Sequence, residues 1–382
     1  MSHPLPFIDL AAQRDRIRDR IDAAIARVVD HGAFILGPEV TTFEAELSRF
    51  AGLAHTVSCS SGADALLMPL MVWDIGPGDA VFVPTFTFAA TAEMVALRGA
   101  SPVFVDVDAD TFNISVASLK AAIEDVKAKG VLTPRAVIAV DLFGLIADYP
   151  AIQALCREHG LKLISDAAQG FGATLDGHQS GRWADVVCTS FFPAKPLGCY
   201  GDGGAILTDN AELAAGLRSV RVHGQGEDKY DNVRLGLTAR LDTIQAAILL
   251  EKLAIFPGEI EARNRIAARY NEALRGIVGV PEVPTGMSST WAQYTVLLEK
   301  GSRERVAAHL KAEGVPTAIY YTRPLHRQTA YGSYPVAPDG TPVSDDICER
   351  VISLPMHPYL GQADQDRVVR ALAGALGSRA AA

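Results

Sequence analysis

The chain has 382 residues, of which 49% are apolar and 21% charged, and carries a formal net charge of −9. That length suffices for two domains with a full core, and that charge excludes a general nucleic-acid binder, which needs a basic surface to neutralise phosphates. Five scattered cysteines with no C-x-x-C pair exclude a disulfide framework and a cysteine zinc site, and read as reduced, mostly buried thiols.

The opening segment MSHPLPFIDLAAQRDRIRDR lacks the order of a signal peptide, since its basic residues follow a short mixed stretch instead of preceding an apolar one. No apolar run approaches the roughly 18 residues a bilayer span needs, so a cytoplasmic protein without membrane contact is expected. RDRIRDRIDAAIARVVDHG reads as one amphipathic helix ended by Gly32. From about 55 to 210, short β-branched runs alternate with helical stretches, the pattern of a sheet built from crossover units. The runs are HTVSC (55 to 59), AVFVP (80 to 84), PVFVDV (102 to 107), RAVIAVDL (135 to 142), LKLISDA (161 to 167), DVVCTSF (185 to 191) and GAILTD (204 to 209). Most are apolar throughout, so both sheet faces should be covered. Helices are expected at about 62 to 73, 89 to 98, 115 to 127 and 148 to 159. Too few residues separate the last two runs for a helical crossover, which makes at least one of them antiparallel. ARLDTIQAAILLEKL and EIEARNRIAARYNEALRG then form two helices broken at Pro257 and Gly258. A strand in WAQYTVLLE, a helix in SRERVAAHLKAEG, the turn-rich YPVAPDGTPVSD and a last helix in QADQDRVVRALAGAL complete the chain. The expected organisation is a large α/β domain over 1–255 and a smaller α+β domain over 256–382, with a mixed, mostly parallel sheet flanked by helices.

Ligands of open α/β sheets collect beyond the carboxyl ends of the strands, and four such ends carry unusual residues. At SCSSGADALL a strand stops and a helix begins at Gly62 and Ala63; the free amides can cradle an anion, although a Ser-Ser-Gly helix cap accounts for the same residues. PTFTFAAT places Phe86 and Phe88 at a turn, as core or as a plate for a planar ligand. ISDAAQGFGA ends a strand on Asp166, with Gln169 three residues on; a carboxylate there needs a partner, either a cap, a salt bridge or a cationic ring nitrogen. SFFPAKPLGCYGDGGA closes a strand with Ser190 and delivers Lys195 between two prolines. As a set these match what pyridoxal phosphate requires: a lysine for a covalent link, an acid for the pyridine nitrogen, an anion cradle and an apolar plate. A dinucleotide-binding oxidoreductase would need G-x-G-x-x-G after the first strand, which SCSSGADAL lacks.

Through FIDLAAQRDRIRDRI, GAFILGPEV, SSGADAL, PGDAVFVPTFTFAATAE, DAAQGFGA, SFFPAKPLGCYGDGGA, RLDTIQAAIL, GVPTAIYYTRPLHRQTAY and SLPMHPYL, the sequence resembles the DegT/DnrJ/StrS family of nucleotide-sugar aminotransferases, fold-type I pyridoxal-phosphate enzymes. The resemblance implies that Lys195 bonds the cofactor and shuttles the proton, and that Asp166 pairs with the pyridine nitrogen. It places Gln169 near the ring, Phe88 stacked on it, and Ser190 with the amides of Gly62 and Ala63 on the phosphate. Two departures stand out. Ala63 replaces a common threonine, and Thr238 in GLTAR replaces the asparagine that reaches the phosphate from the neighbouring subunit. Relatives that dehydrate instead of transaminating carry histidine in place of the lysine, so Lys195 favours the aminotransferase branch. Substrate contacts implied by the resemblance are Tyr320, Tyr321, Arg323 and His326, with Arg221, His223, Lys229 and Arg240 on elements lent to the partner's site. The implied activity transfers an amino group, with glutamate as expected donor, to a nucleotide-linked keto sugar for cell-surface glycan synthesis. A homodimer with shared sites is expected. The motifs look most like members acting on UDP-linked N-acetylated keto sugars; dTDP- or GDP-linked sugars and a non-catalytic regulator are the alternatives.

Overall fold

A computed structural model describes residues 5–228 and 230–377. Helices α1 (Leu10–Arg16), α2 (Arg18–His31) and α3 (Pro38–Ala51) precede strand β1 (His55–Cys59). There follow α4 (Gly62–Val72), β2 (Asp79–Pro84), α5 (Ala90–Leu97), β3 (Ser101–Val105), α6 (Val116–Lys129), β4 (Thr133–Val140), α7 (Tyr149–His159), β5 (Lys162–Asp166), β6 (Val186–Ser190), β7 (Gly204–Thr208) and α8 (Ala211–Arg221). The remainder comprises α9 (Thr243–Leu253), α10 (Phe256–Leu274), β8 (Tyr294–Leu297), α11 (Arg303–Ala312), α12 (Pro342–Arg350), β9 (Val351–Leu354) and α13 (Gln362–Ala375).

The first seven strands form one sheet in the order β1-β7-β6-β5-β4-β2-β3. Its pairs are parallel except where β7 meets β1 and β6, so the short return after β6 reverses the chain as its length requires. Alternate residues serve opposite cores. Ile164, Cys188 and Ile206 join the core under α4, α5 and α8, while Leu163 packs with α6 and α7 and Val187, Ala205 and Leu207 pack with α3 and α9. With both faces buried, the strands read as largely apolar runs, and the few polar residues in them are small and bonded, as Ser165 is to Tyr149 and Ser180. A further core joins α10, α11 and α13 to the β8–β9 pair and includes Tyr270, Tyr294 and Leu5.

Several local expectations are corrected. The N-terminal helix breaks at Ile17, which leaves helical geometry (φ −125°, ψ 21°) and is 4% exposed. The break between the two later helices falls at Ala254 and Ile255, whereas Pro257 lies in the first turn of α10, where its missing N–H has no helical acceptor to lose. The segment 334–345 is not a free loop. It runs beside β3, with Phe104 N donating to Pro335 O and Ala337 N to Phe104 O, and the buried Asp106 carboxylate caps α12 through the amides of Val343 and Ser344.

Candidate active site

The directions of the strands gather the four singled-out ends at one edge of the sheet. Gly204, the first residue of β7, pairs with Cys59 on one side and with Ser190 on the other. That register brings the start of α4 against the end of β6. A Cβ on Gly62 would sit 2.5 Å from Ser190 Cβ and 2.9 Å from its Oγ, so only glycine permits this approach. The serines before α4 are occupied as a cap. Ser61 Oγ accepts from Asp64 N at 3.0 Å, and the Ser60 hydroxyl donates to the Asp64 carboxylate. Cap and cradle therefore coexist: the hydroxyls close the helix, and the first-turn amides of Gly62 and Ala63 are left for an anion beside Ser190.

Ser61, Gly62, Ala63, Phe88, Asp166, Gln169, Ser190, Lys195, Tyr320 and Tyr321 all line one cavity of about 700 Å³. Asp166, at the end of β5, is 7% exposed and accepts from Thr91 Oγ1 at 3.1 Å and from Ala168 N at 3.2 Å. Burial raises its pKa, opposed by the Ala168 amide, the charge of Lys195 and the Thr91 hydroxyl. Burial lowers the pKa of the Lys195 amine, and Asp166 opposes that shift. Each is thus the other's compensating charge in a poorly solvated space. Lys195 stands on a turn closed by its own amide on Phe192 O at 2.8 Å, and Cys199 donates its thiol to Phe191 O and Gly201 O. Cys199 is a structural tie. Burial raises its pKa, which makes it a poor nucleophile.

Gln169 is committed at both ends of its amide: Oε1 accepts from Phe143 N at 2.6 Å, and Nε2 donates to the Tyr321 hydroxyl at 3.3 Å. Phe143 holds a left-handed backbone (φ 57°) that this bond helps to fix. Behind Gln169, Asp141 is 1% exposed and accepts from Ala147 N at 3.0 Å; burial, with Asp166 adding, pushes its carboxyl up to about 7. Phe88 is 58% exposed on the cavity wall, in contrast to Phe86, which is packed among Phe112, Phe143 and Tyr321.

Other candidate residues lie elsewhere. His326 is held by Thr85 Oγ1 at 2.8 Å and by Thr341, with Asp345 at 3.8 Å, outside the cavity lining. Arg323 is exposed, also outside that lining. His223 and Thr238 bond each other at 3.0 Å in a separate exposed loop, and Lys229 of that loop lies outside the described residues. Arg221 is buried against Glu44 at 2.6 Å and Ser58 O at 3.1 Å, a structural ion pair instead of a substrate contact. Arg240 is half-buried. Sequence reasoning missed Thr91, Asp202, Gln293 and Ile8. Thr91 carried a signal, as the last threonine of PTFTFAAT; Ile8 carried none, since it lines the cavity beside a contact distant in sequence, the bond from Met356 N to the Phe7 carbonyl.

Among the described residues no cluster of His, Cys, Asp or Glu could hold a metal ion, and no helix is long and apolar enough to cross a membrane. Residues 15–373 match the DegT/DnrJ/EryC1/StrS aminotransferase family. The chain is 48% identical to the UDP-2-acetamido-2-deoxy-3-oxo-D-glucuronate aminotransferase of Pseudomonas aeruginosa, over 96% of this chain and 99% of that one. It is 42% identical to the UDP-N-acetyl-3-dehydro-α-D-glucosamine 3-aminotransferase of Acidithiobacillus ferrooxidans, over 95% and 96%. A crystal structure of a family aminotransferase from Brucella abortus superposes with a TM-score of 0.96 at 57% identity, covering 98% of this chain and all of the other.

Proposed function

The chain belongs to the DegT/DnrJ/EryC1/StrS aminotransferase family, whose aminotransferases bind pyridoxal phosphate, and from that premise we propose that it aminates the 3-keto group of a UDP-linked 2-acetamido sugar, with glutamate as donor. The observation that carries this reading is the meeting of Lys195, Asp166 and the Ser190–Gly62 cradle in one cavity. The cavity fits the cofactor. Its cradle admits an anion where a Cβ on Gly62 would intrude on Ser190, and its buried carboxylate calls for a cationic partner.

In this reading Ser190 Oγ and the amides of Gly62 and Ala63 hold the phosphate, Asp166 receives the pyridine N–H, Phe88 covers the ring and Lys195 holds the cofactor covalently. When bound, pyridoxal phosphate supplies an electron sink for charge left at a deprotonated carbon. The chain's own contribution is to place and tune two groups. Thr91 and Ala168 aim the Asp166 carboxylate, so it meets the ring nitrogen without reorganising. Burial depresses the Lys195 pKa, which raises the fraction of neutral amine able to take a proton from the donor's carbon and return it to the acceptor's. Gln169, fixed by Phe143 and Tyr321, keeps the wall beside the ring in place.

The substrate class rests on the two relatives above, whose names share UDP, an acetamido group and a 3-keto function. A homodimer with shared sites is part of the proposal. Among the described residues lining the cavity, Lys195 is the single lysine or arginine, against the carboxylates of Asp166 and Asp202. A diphosphate needs more positive charge than that. The exposed loop carrying His223, Arg234 and Thr238 would supply it from a second copy. The test is to give the purified protein pyridoxal phosphate, L-glutamate and UDP-2-acetamido-3-keto sugars with and without a C6 carboxylate. The expected result is 2-oxoglutarate together with a sugar whose carbonyl oxygen is replaced by an amine. Preference for a dTDP-linked 4-keto sugar, or no turnover of any of these, overturns the reading.

A further inference from the structure

One buried cation is unused by the chemistry above. Lys252, near the end of α9, is 1% exposed, yet its nearest bonded partner is no carboxylate: its ammonium donates to the carbonyl of Gly198 at 2.6 Å and lies 4.3 Å from the centre of the Tyr200 ring. Seven residues earlier, on the same face of α9, Gln245 Oε1 accepts from Tyr200 N at 2.9 Å. Both grips therefore fall on the segment between β6 and β7 that carries Lys195. They are transmitted to it through backbone alone. A Cβ on Gly198 would lie 2.5 Å from Pro193 O and 2.6 Å from Phe192 O, so Gly198 is pressed against the turn whose carbonyl at Phe192 holds the Lys195 amide. Burying an ammonium is costly, and hydrophobic residues of that size would pack at least as well. Burial brings the Lys252 pKa down to about 8, with Cys199 and Glu259 opposing. A charge kept at that cost, on a loop carbonyl, fixes where the loop stands.

We infer that Lys252 is a positioning residue for Lys195: with Gln245 it clamps Gly198 and Tyr200, and so sets the turn from which the Lys195 amine reaches the cofactor. The inference rests on the reading of Lys195 given under Proposed function. Lys252→Met keeps the length of the side chain and removes its charge. Tyr200→Leu removes the aromatic face at a half-exposed position where folding is not at stake. The experiment follows the absorbance rise as each apo-protein captures pyridoxal phosphate, and then kcat and KM of the loaded enzyme well below its melting temperature. Misplacing a reacting group by a fraction of an ångström to one ångström costs about 10- to 100-fold in rate. The expected result is capture and kcat both slowed on the order of tenfold in Lys252→Met and less in Tyr200→Leu, with Tyr200→Phe restoring the rate and KM for the sugar held within about twofold. If Lys252→Met does not fold, Tyr200→Leu against Tyr200→Phe decides the matter alone. Wild-type capture and kcat in the folded variants, with only a lower melting temperature, overturn the inference and leave the proposed function standing. A wild-type protein that captures no pyridoxal phosphate overturns both.

Discussion

The floor of the cavity and the loop at residues 222–240 are built in opposite ways. On the floor, Asp166 and Gln169 are buried and bonded to the backbone or to neighbouring side chains, and Lys195 stands on a turn bonded to Phe192. In the loop, the exposed side chains of His223 and Thr238 bond each other, while Tyr230, Val233 and Leu235 are 82%, 55% and 84% exposed. Proton transfer needs fixed geometry, which a single folded chain provides. Recognition of a large anionic substrate needs charge that this chain keeps away from its own cavity. In the proposed dimer the contrast would separate chemistry from recognition along the boundary between one chain and its copy.

The strongest way to break that contrast is at the floor. If Lys195 holds the cofactor and moves the proton as proposed, amination in Lys195→Ala should fall by at least about 10²- to 10⁴-fold with the fold intact by circular dichroism. Retained activity would move the chemistry elsewhere. Next comes Arg221, which borders the loop but is packed like the floor. Arg221→Ala leaves the half-buried Glu44 carboxylate with Ser58 N and Oγ as its remaining partners and should cost about 2–3 kcal/mol in urea unfolding, with an unchanged KM for the sugar. A raised KM at unchanged stability would return Arg221 to the recognition side.

A smaller effect sharpens the account of burial. The Asp141 carboxyl is raised on folding from 3.8 to about 7, so the stability it contributes is full below its unfolded value and is lost as pH rises through 7. Asn at 141 keeps the acceptor for Ala147 N and cannot ionise. Apo-protein carrying Asp141→Asn should therefore match the wild type near pH 4 and exceed it at pH 8, by about 2 kcal/mol at the latter, in urea midpoints. The smallest effect belongs to the loop. Thr238→Ala should loosen pyridoxal phosphate by about 1 kcal/mol, roughly fivefold in retention after dilution, and Thr238→Asn should tighten it. No change in either would mean that Thr238 reaches no phosphate.

The seven strands of the main sheet were legible within one to two residues, because burial on both faces leaves short, largely apolar and β-branched runs. Three helices escaped, among them α12, whose first residues belong to the turn-rich YPVAPDGTPVSD. In α3, Val40, Phe43 and Leu47 mark one face after a proline at the first turn, a signal present in the sequence. In α8, Gly216 interrupts the pattern because it lies against Val72 and Arg234, a tertiary demand with no local sign. Most of the cavity residues were legible because Asp166 and Ser190 end strands and Gly62, Phe88, Gln169 and Lys195 follow closely after strand ends; Tyr320 and Tyr321 follow none. The surroundings of Arg221 and His326 were hidden for the reason Thr91 was missed: a polar side chain's partner is chosen by the fold. Glu44, Thr85 and Asp166 are distant in sequence from the groups they hold.

The reversal at β7 also orders events in time. Ser190 and Gly204 close a short loop, whereas Gly204 and Cys59 close a long one that contains the other five strands of the sheet. Loop-closure entropy favours the nearer contact first. The hairpin bearing Lys195 can form while the anion cradle at Gly62 does not yet exist. If the cradle holds the phosphate as proposed, its capture would wait on the pairing of β1 with β7, and the yellow colour of a refolding sample would report completion of the sheet, not its beginning.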